Sequence, residues 1–130
     1  MVFHYRGAWG SGGNFAFKHV LEDTEMALQY LRLSEVANRY RVDTDNMILM
    51  GHSMGGWAAL SVAAKGLVKR VAAIAAVNMG LWGESSSDSA EARRSGMEFF
   101  EASLTPLHGT SAEGLLQEPI DLLDEFGAMP

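Results

Sequence analysis

A glycine-rich segment of six residues separates an apolar run from a helical run in the middle of this chain. The apolar run is Met47–Met50, the segment is Gly51–Gly56 (GHSMGG), and an Ala-rich helical pattern covers Trp57–Lys65. Four apolar residues without alternation are typical of a strand buried on both faces, as in a parallel sheet covered by helices. The sequence therefore predicts a strand that turns sharply into a helix.

The flanking sequence extends this pattern into alternating strands and helices. Val2–Tyr5 is β-prone, and from Phe17 apolar residues recur at steps of three and four, which predicts a helix that frays past Leu33. Gly66 is suited to end the Ala-rich helix, and Val71–Val77 is a second buried apolar run. This alternation predicts crossover helices and a parallel sheet of about three strands, so the fold class is α/β.

The glycine-rich segment also contains a serine, Ser53, in a pattern typical of catalytic nucleophiles. Gly51–Gly55 matches G-x-S-x-G in the strand–helix context that a nucleophile elbow requires. We expect Ser53 to be strained, with its Oγ exposed at the carboxyl end of the sheet as the candidate nucleophile. The Met54 N–H, at the amino end of the following helix, is the candidate donor to a developing oxyanion. Three glycines in the turn leave room for the strand and the helix to meet at Ser53: Gly51, Gly55 and Gly56.

Other interpretations of the segment fit less well. A phosphate-binding loop of the type G-x-x-x-x-G-K-[ST] needs a lysine where Trp57 follows Gly56. The dinucleotide pattern G-x-G-x-x-G has Ser53 in place of its second glycine. The remaining alternative is a glycine-rich turn between strand and helix with an incidental serine, because G-x-S-x-G alone also occurs by chance.

These motifs together resemble the α/β-hydrolase superfamily over residues 2–80. GHSMGG is similar to the nucleophile elbow of its esterases, lipases and serine peptidases, and FHYRGAWGSGG resembles the Arg-Gly loop after the family's fourth strand. VLEDTEMALQYLR is similar to the helix that follows, and RVDTDNMILMGHSMGG to the approach to the fifth strand. The Arg-Gly loop and the acidic helix favour the branch of dienelactone-hydrolase-like enzymes and of dipeptidyl or acylaminoacyl peptidases.

The resemblance implies a partial α/β-hydrolase core over residues 1–80, followed by a mainly helical, cap-like or lid-like segment over 81–130. The first segment carries eight basic and six acidic side chains, whereas the second carries two and ten, so the second is strongly acidic. Within it, Leu81–Ser89 is predicted to be a polar loop. Helices are predicted at Ala90–Leu104, before Pro106, and at Leu115–Phe126.

The resemblance also implies a triad in the order serine, acid, histidine, with the last two residues following the family's seventh and eighth strands. No segment after Val77 resembles either strand. His108 is the only histidine after Ser53 and is therefore the candidate base, although its LHGTS context is more typical of an exposed loop. The strand that supplies the second oxyanion donor in the family also has no counterpart, so we expect a fragment of a longer hydrolase.

Composition argues against several other function classes. The absence of cysteine excludes disulfide scaffolds, cysteine–zinc sites and iron–sulfur clusters, and the four histidines lack ligand spacing, so no metal site is predicted. The net charge of −6 argues against nonspecific nucleic-acid binding. No apolar run approaches the roughly 20 residues that span a bilayer. No signal peptide is expected, and the sequence is compatible with a cytoplasmic protein.

The leading hypothesis is therefore a serine hydrolase that cleaves an ester or amide bond in a small-molecule or peptide substrate. It acts through an acyl-enzyme on Ser53 and needs no cofactor. Trp9 and Trp82 are candidates for lining the substrate site. The alternative is a catalytically inactive fragment or interaction module that needs another chain to complete the fold. Exposed sheet edges favour self-association under both hypotheses.

Overall fold

A computed structural model describes residues 1–123 of the chain. Its helices and strands are α1 Phe17–Arg32, α2 Ser34–Tyr40, β1 Ile48–His52, α3 Met54–Ala64, β2 Arg70–Ile74, α4 Met79–Asp88, α5 Ala90–Ser103 and α6 Ala112–Asp121. The α/β class is confirmed, with a small parallel sheet and a mainly helical remainder. Among these residues, no helix has the length and apolarity needed to traverse a bilayer.

The chain divides into two compact units. One comprises Leu21–Val77, and the other comprises Met1–Val20 together with the described residues from Asn78 onwards. The division into a core over residues 1–80 and a cap-like segment over 81–130 stays a prediction.

The unit Leu21–Val77 is built on two parallel strands joined by α3. The strands pair in register from Ile48 opposite Arg70 to His52 opposite Ile74. One face of the sheet is covered, because Leu49 packs against a core that includes Val62 of α3. The prediction that the strands are buried on both faces is wrong, because the opposite face is open: Ile48, Met50 and Ile74 are 56%, 72% and 54% exposed.

Helix α1 forms where the apolar period predicts it. Phe17, Val20 and Leu28, which lie on the predicted stripe, are buried. A short second helix, α2, follows Leu33 directly. As predicted, Gly66 follows α3 with a positive φ of 75°, and its N–H donates to the carbonyl of Ala63.

The prediction of a third strand at Val2–Tyr5 is wrong, and the sheet has two strands within residues 1–123. Val2 is exposed, and the carbonyl of Tyr5 accepts a hydrogen bond from the Ala8 N–H, which starts a turn. Because a strand needs a neighbour for its backbone groups, β-branched and aromatic residues alone do not create one. The second strand ends at Ile74, earlier than expected, since Ala75 has a positive φ of 46°.

The prediction of a polar loop at Leu81–Ser89 is also wrong, because this stretch lies mostly in α4. Asn78 caps the helix by accepting a hydrogen bond from the Leu81 N–H at 3.0 Å. Gly83 lets α4 approach α6, because a Cβ at position 83 would overlap the carbonyl of Pro119. The cap and the contact with α6 therefore outweigh the low helix propensity of the serine-rich stretch.

After α4, most of the chain up to residue 123 is helical, as predicted. Helix α5 starts at Ala90 after the cap residue Ser89, and α6 contains Pro119. The last part of the predicted helix Leu115–Phe126 lies outside the described residues. The Trp82 ring stacks on Phe100 at 4.7 Å, which joins α4 to α5.

Candidate active site

Ser53 occupies the junction between β1 and α3 in an unusual conformation. Its φ is 53° and its ψ is −118°, and its side chain is exposed. Positive φ is uncommon for a residue with a side chain and persists only where the surrounding structure enforces it. The sharp turn from strand to helix imposes this conformation, as the sequence pattern predicts.

Both backbone groups of Ser53 are tied to neighbouring elements. Its N–H donates to the carbonyl of Ile74, the last residue of β2, at 2.9 Å. Its carbonyl accepts from the N–H groups of Gly56 and Trp57 in α3, at 3.0 and 3.1 Å, and from that of Val77 at 3.3 Å. The residue that carries the candidate nucleophile is therefore bound to both the helix and the end of the second strand.

Two glycines of the motif have a steric role in this turn. A Cβ atom on Gly51 would overlap the carbonyl of Gly55 and stand 2.7 Å from the nitrogen of Gly56. A Cβ on Gly56 would stand 2.9 Å from the Cβ of Ala76. The close approach of β1 and α3, and of α3 and the segment after β2, therefore requires glycine at both positions.

The amino end of α3 places partial positive charge next to Ser53. Met54 is the first residue of the helix and is half-buried. The first N–H groups of a helix have no acceptor within the helix, and its dipole places partial positive charge there. The Met54 N–H is therefore suited to interact with an oxygen that becomes negative next to Ser53.

The other predicted site residues belong to the unit that does not contain Ser53. His108 has an exposed side chain in a loop, as its sequence context predicts. Its backbone N–H donates to Gly7 at 2.7 Å, and its carbonyl accepts from Phe15 at 2.9 Å. Trp9 is exposed with a φ of 51°, and Trp82 is half-buried and stacks on Phe100.

The sequence did not indicate the role of the segment after β2. Ala75 has positive φ, and the N–H of Val77 binds the Ser53 carbonyl. The only signal was the length of the apolar run Val71–Val77, which exceeds the five residues of the strand. Within residues 1–123, no group of three or more potential metal ligands comes together.

The part of the chain that contains Ser53 also matches a protein-family model. The model of the Esterase family, described as "Putative esterase", matches residues 27–105, which include β1, Ser53, α3 and β2. No curated protein and no solved structure matches the chain significantly. The family match covers 79 of 130 residues, more than half of the sequence. The chain therefore belongs to the Esterase family of hydrolases.

Proposed function

We propose that this protein is a serine hydrolase of the α/β-hydrolase type, which cleaves an ester or amide bond through an acyl-enzyme on Ser53. The observation that carries the proposal is the exposed Ser53 at a φ of 53° between β1 and α3. A buried serine would not present its hydroxyl to a substrate.

In the proposed reaction, Ser53 Oγ attacks the carbonyl carbon of the substrate while a general base takes the hydroxyl proton. The carbonyl oxygen becomes an oxyanion, to which the Met54 N–H donates a hydrogen bond. When the oxyanion collapses, the bond to the leaving alcohol or amine breaks, and the base returns the proton to the leaving group. Water then attacks the acyl-enzyme by the same route and releases the acid.

The general base is the second part of the proposal. A serine hydroxyl holds its proton too tightly at pH 7 to attack without one. His108 is the candidate within this chain, because it is the only histidine after Ser53.

A second candidate function is that of a fragment or interaction module that becomes active only when another chain supplies strands, acid and base. The open face of the sheet favours this candidate, since Ile48, Met50 and Ile74 are exposed there. Parallel sheets are normally covered on both faces. A partner that packs on this face would remove the apolar surface from water.

Hydrolysis of p-nitrophenyl acetate tests the proposal and separates the two candidates. If Ser53 is the nucleophile, Ser53→Ala should lower kcat by about a thousandfold or more, whereas Ser95→Ala, at an exposed position of α5, should not change it. A similar loss in His108→Ala would support His108 as the base. Absence of turnover in the folded wild-type chain would favour the second candidate.

Kinetic assays also test to which branch of the superfamily the protein belongs and which residues line its substrate site. Faster cleavage of acyl esters than of aminoacyl p-nitroanilides would favour the dienelactone-hydrolase-like branch, and the reverse would favour the peptidases. If Trp9 and Trp82 line the site, Trp9→Ala and Trp82→Ala should raise KM more than they lower kcat. Equal kinetics in both variants and the wild type would exclude that role.

A further inference from the structure

Ala75 adopts a backbone conformation that alanine rarely takes. Its φ is 46°, and it follows directly on Ile74, the last residue of β2. Only glycine enters the left-handed region readily, because a Cβ atom crowds the following carbonyl oxygen there. No glycine relieves this position, so the surrounding contacts must hold Ala75 in place.

The turn at Ala75 determines where the following residues lie. A strand advances about 3.3 Å per residue, so an extended chain would carry Val77 about 10 Å beyond Ile74. Instead, the Val77 N–H lies 3.3 Å from the carbonyl oxygen of Ser53, whose own N–H donates to the Ile74 carbonyl. The four residues Ile74–Val77 thus bind both backbone groups of Ser53.

The same segment also contacts the first turn of α3. A Cβ atom on Gly56 would stand 2.9 Å from Ala76 Cβ and 3.1 Å from Ala76 Cα. Ile74–Val77 therefore lies against both Ser53 and the helix end that supplies the Met54 N–H. A change in the turn would move the candidate nucleophile relative to its oxyanion donor.

We propose that Ala75 is a positioning residue for Ser53: its left-handed turn brings Ala76 onto the start of α3 and the Val77 N–H onto the Ser53 carbonyl, and so holds Ser53 at positive φ. This inference rests on the proposed function of Ser53 for its catalytic meaning. The structural part, that Ala75 sets the hydrogen bonds of Ser53, can be measured without any activity.

The test compares substitutions that differ in their tolerance of the left-handed conformation. Ala75→Gly and Ala75→Asn are compatible with positive φ, whereas the β-branched side chain of Ala75→Val is not. Ala73→Val is the matched control, because Ala73 is exposed and extended within β2, where valine is favourable. Thermal unfolding of each variant verifies that the chain is folded.

The first readout is amide hydrogen exchange of the full chain, followed by NMR. We expect exchange at Ser53 and Val77 to accelerate by about tenfold in Ala75→Val and to stay at the wild-type rate in the Gly, Asn and Ala73→Val variants. Unchanged exchange in Ala75→Val would overturn the inference. If Ala75→Val does not fold, the exchange rates of the wild type test the inference. A Val77 amide that exchanges as fast as an exposed amide, while the Ser53 amide stays protected, would also overturn the inference.

The second readout is the rate constant with which a fluorophosphonate modifies Ser53. We expect it to fall by about tenfold in Ala75→Val, with the midpoint of its pH profile unchanged and with rescue in Ala75→Asn. A wild-type rate in Ala75→Val would contradict the positioning role. No modification of the wild type would contradict the proposed function instead, and the exchange experiment would then still test the role of Ala75.

Discussion

Gly51 lies so close to Gly55 that a Cβ atom at position 51 would overlap the carbonyl group of Gly55. The two glycines flank Ser53 in the turn from β1 to α3. Since the obstacle is backbone and not the end of a flexible side chain, the turn cannot accommodate a larger residue without moving the helix.

We therefore predict that Gly51→Ala lowers the free energy of unfolding by about 2–4 kcal/mol. Urea denaturation followed by circular dichroism measures this change. Gly12→Ala is the matched control, because Gly12 has open space around it and should change stability by less than about 0.5 kcal/mol. Equal stability of the two variants would show that β1 and α3 do not approach as described.

Glu118 provides a long-range cap for α1. Its carboxylate accepts hydrogen bonds from the N–H groups of Phe17 and Lys18, at 2.8 and 2.9 Å, across about 100 positions of sequence. Negative charge at a helix amino end also interacts favourably with the helix dipole. We predict that Glu118→Gln lowers the free energy of unfolding by about 1 kcal/mol and Glu118→Ala by about 2 kcal/mol.

Chemical denaturation of both variants checks this prediction. Glu98→Gln, at an exposed position in the middle of α5, removes the same charge without removing a cap and should have little effect. If Glu118→Ala were as stable as Glu98→Gln, the carboxylate would have no capping role.

The turn before β1 contains a carboxyl group with a shifted pKa. The side-chain amide of Asn46 donates to Asp43 Oδ2 at 2.8 Å and lowers the pKa of the Asp43 carboxyl below its ordinary value of 3.8. Arg70, which donates to Asn46 Oδ1, lowers this pKa further through its charge. We predict that Asn46→Ala raises the pKa of Asp43 towards the ordinary value.

The lowered pKa of Asp43 makes the stability of the fold depend on pH. A carboxyl whose pKa is lower in the folded state stabilises the fold above its unfolded pKa, and this contribution is lost as the pH falls through the folded pKa. NMR titration of the Asp43 carboxyl carbon measures the shift. The control Asn38→Ala, on the exposed surface of α2, should leave the Asp43 titration unchanged, and an unchanged titration in Asn46→Ala would contradict the assignment.

Local patterns in the sequence were sufficient for much of the fold. The stripe that contains Phe17, Val20 and Leu28 predicts α1 because burial follows the period of the helix itself. The strand–turn–helix around Ser53 could also be predicted, since Gly51 is needed by its contact with Gly55, four residues away. These features depend on neighbours in sequence.

Features that depend on distant partners could not be predicted. Val2–Tyr5 has β-prone residues but no neighbouring strand among residues 1–123, and the serine-rich stretch after Asn78 becomes helix α4 through its cap and its contacts with α6. The left-handed conformation of Ala75 has no sequence signal, because no glycine or asparagine, the residues that favour positive φ, stands there. The same limit applies to the candidate site: the turn at Ser53 could be predicted, but its contact with Val77 could not.

The most direct measurement is mass spectrometry of the intact protein and its peptides after treatment with a fluorophosphonate. The account predicts that one equivalent of phosphonyl group is added, that the modified peptide carries it on Ser53, and that Ser53→Ala is not modified while Ser95→Ala is. Modification of another residue, or none in folded wild-type protein, would contradict the assignment of Ser53 as the nucleophile.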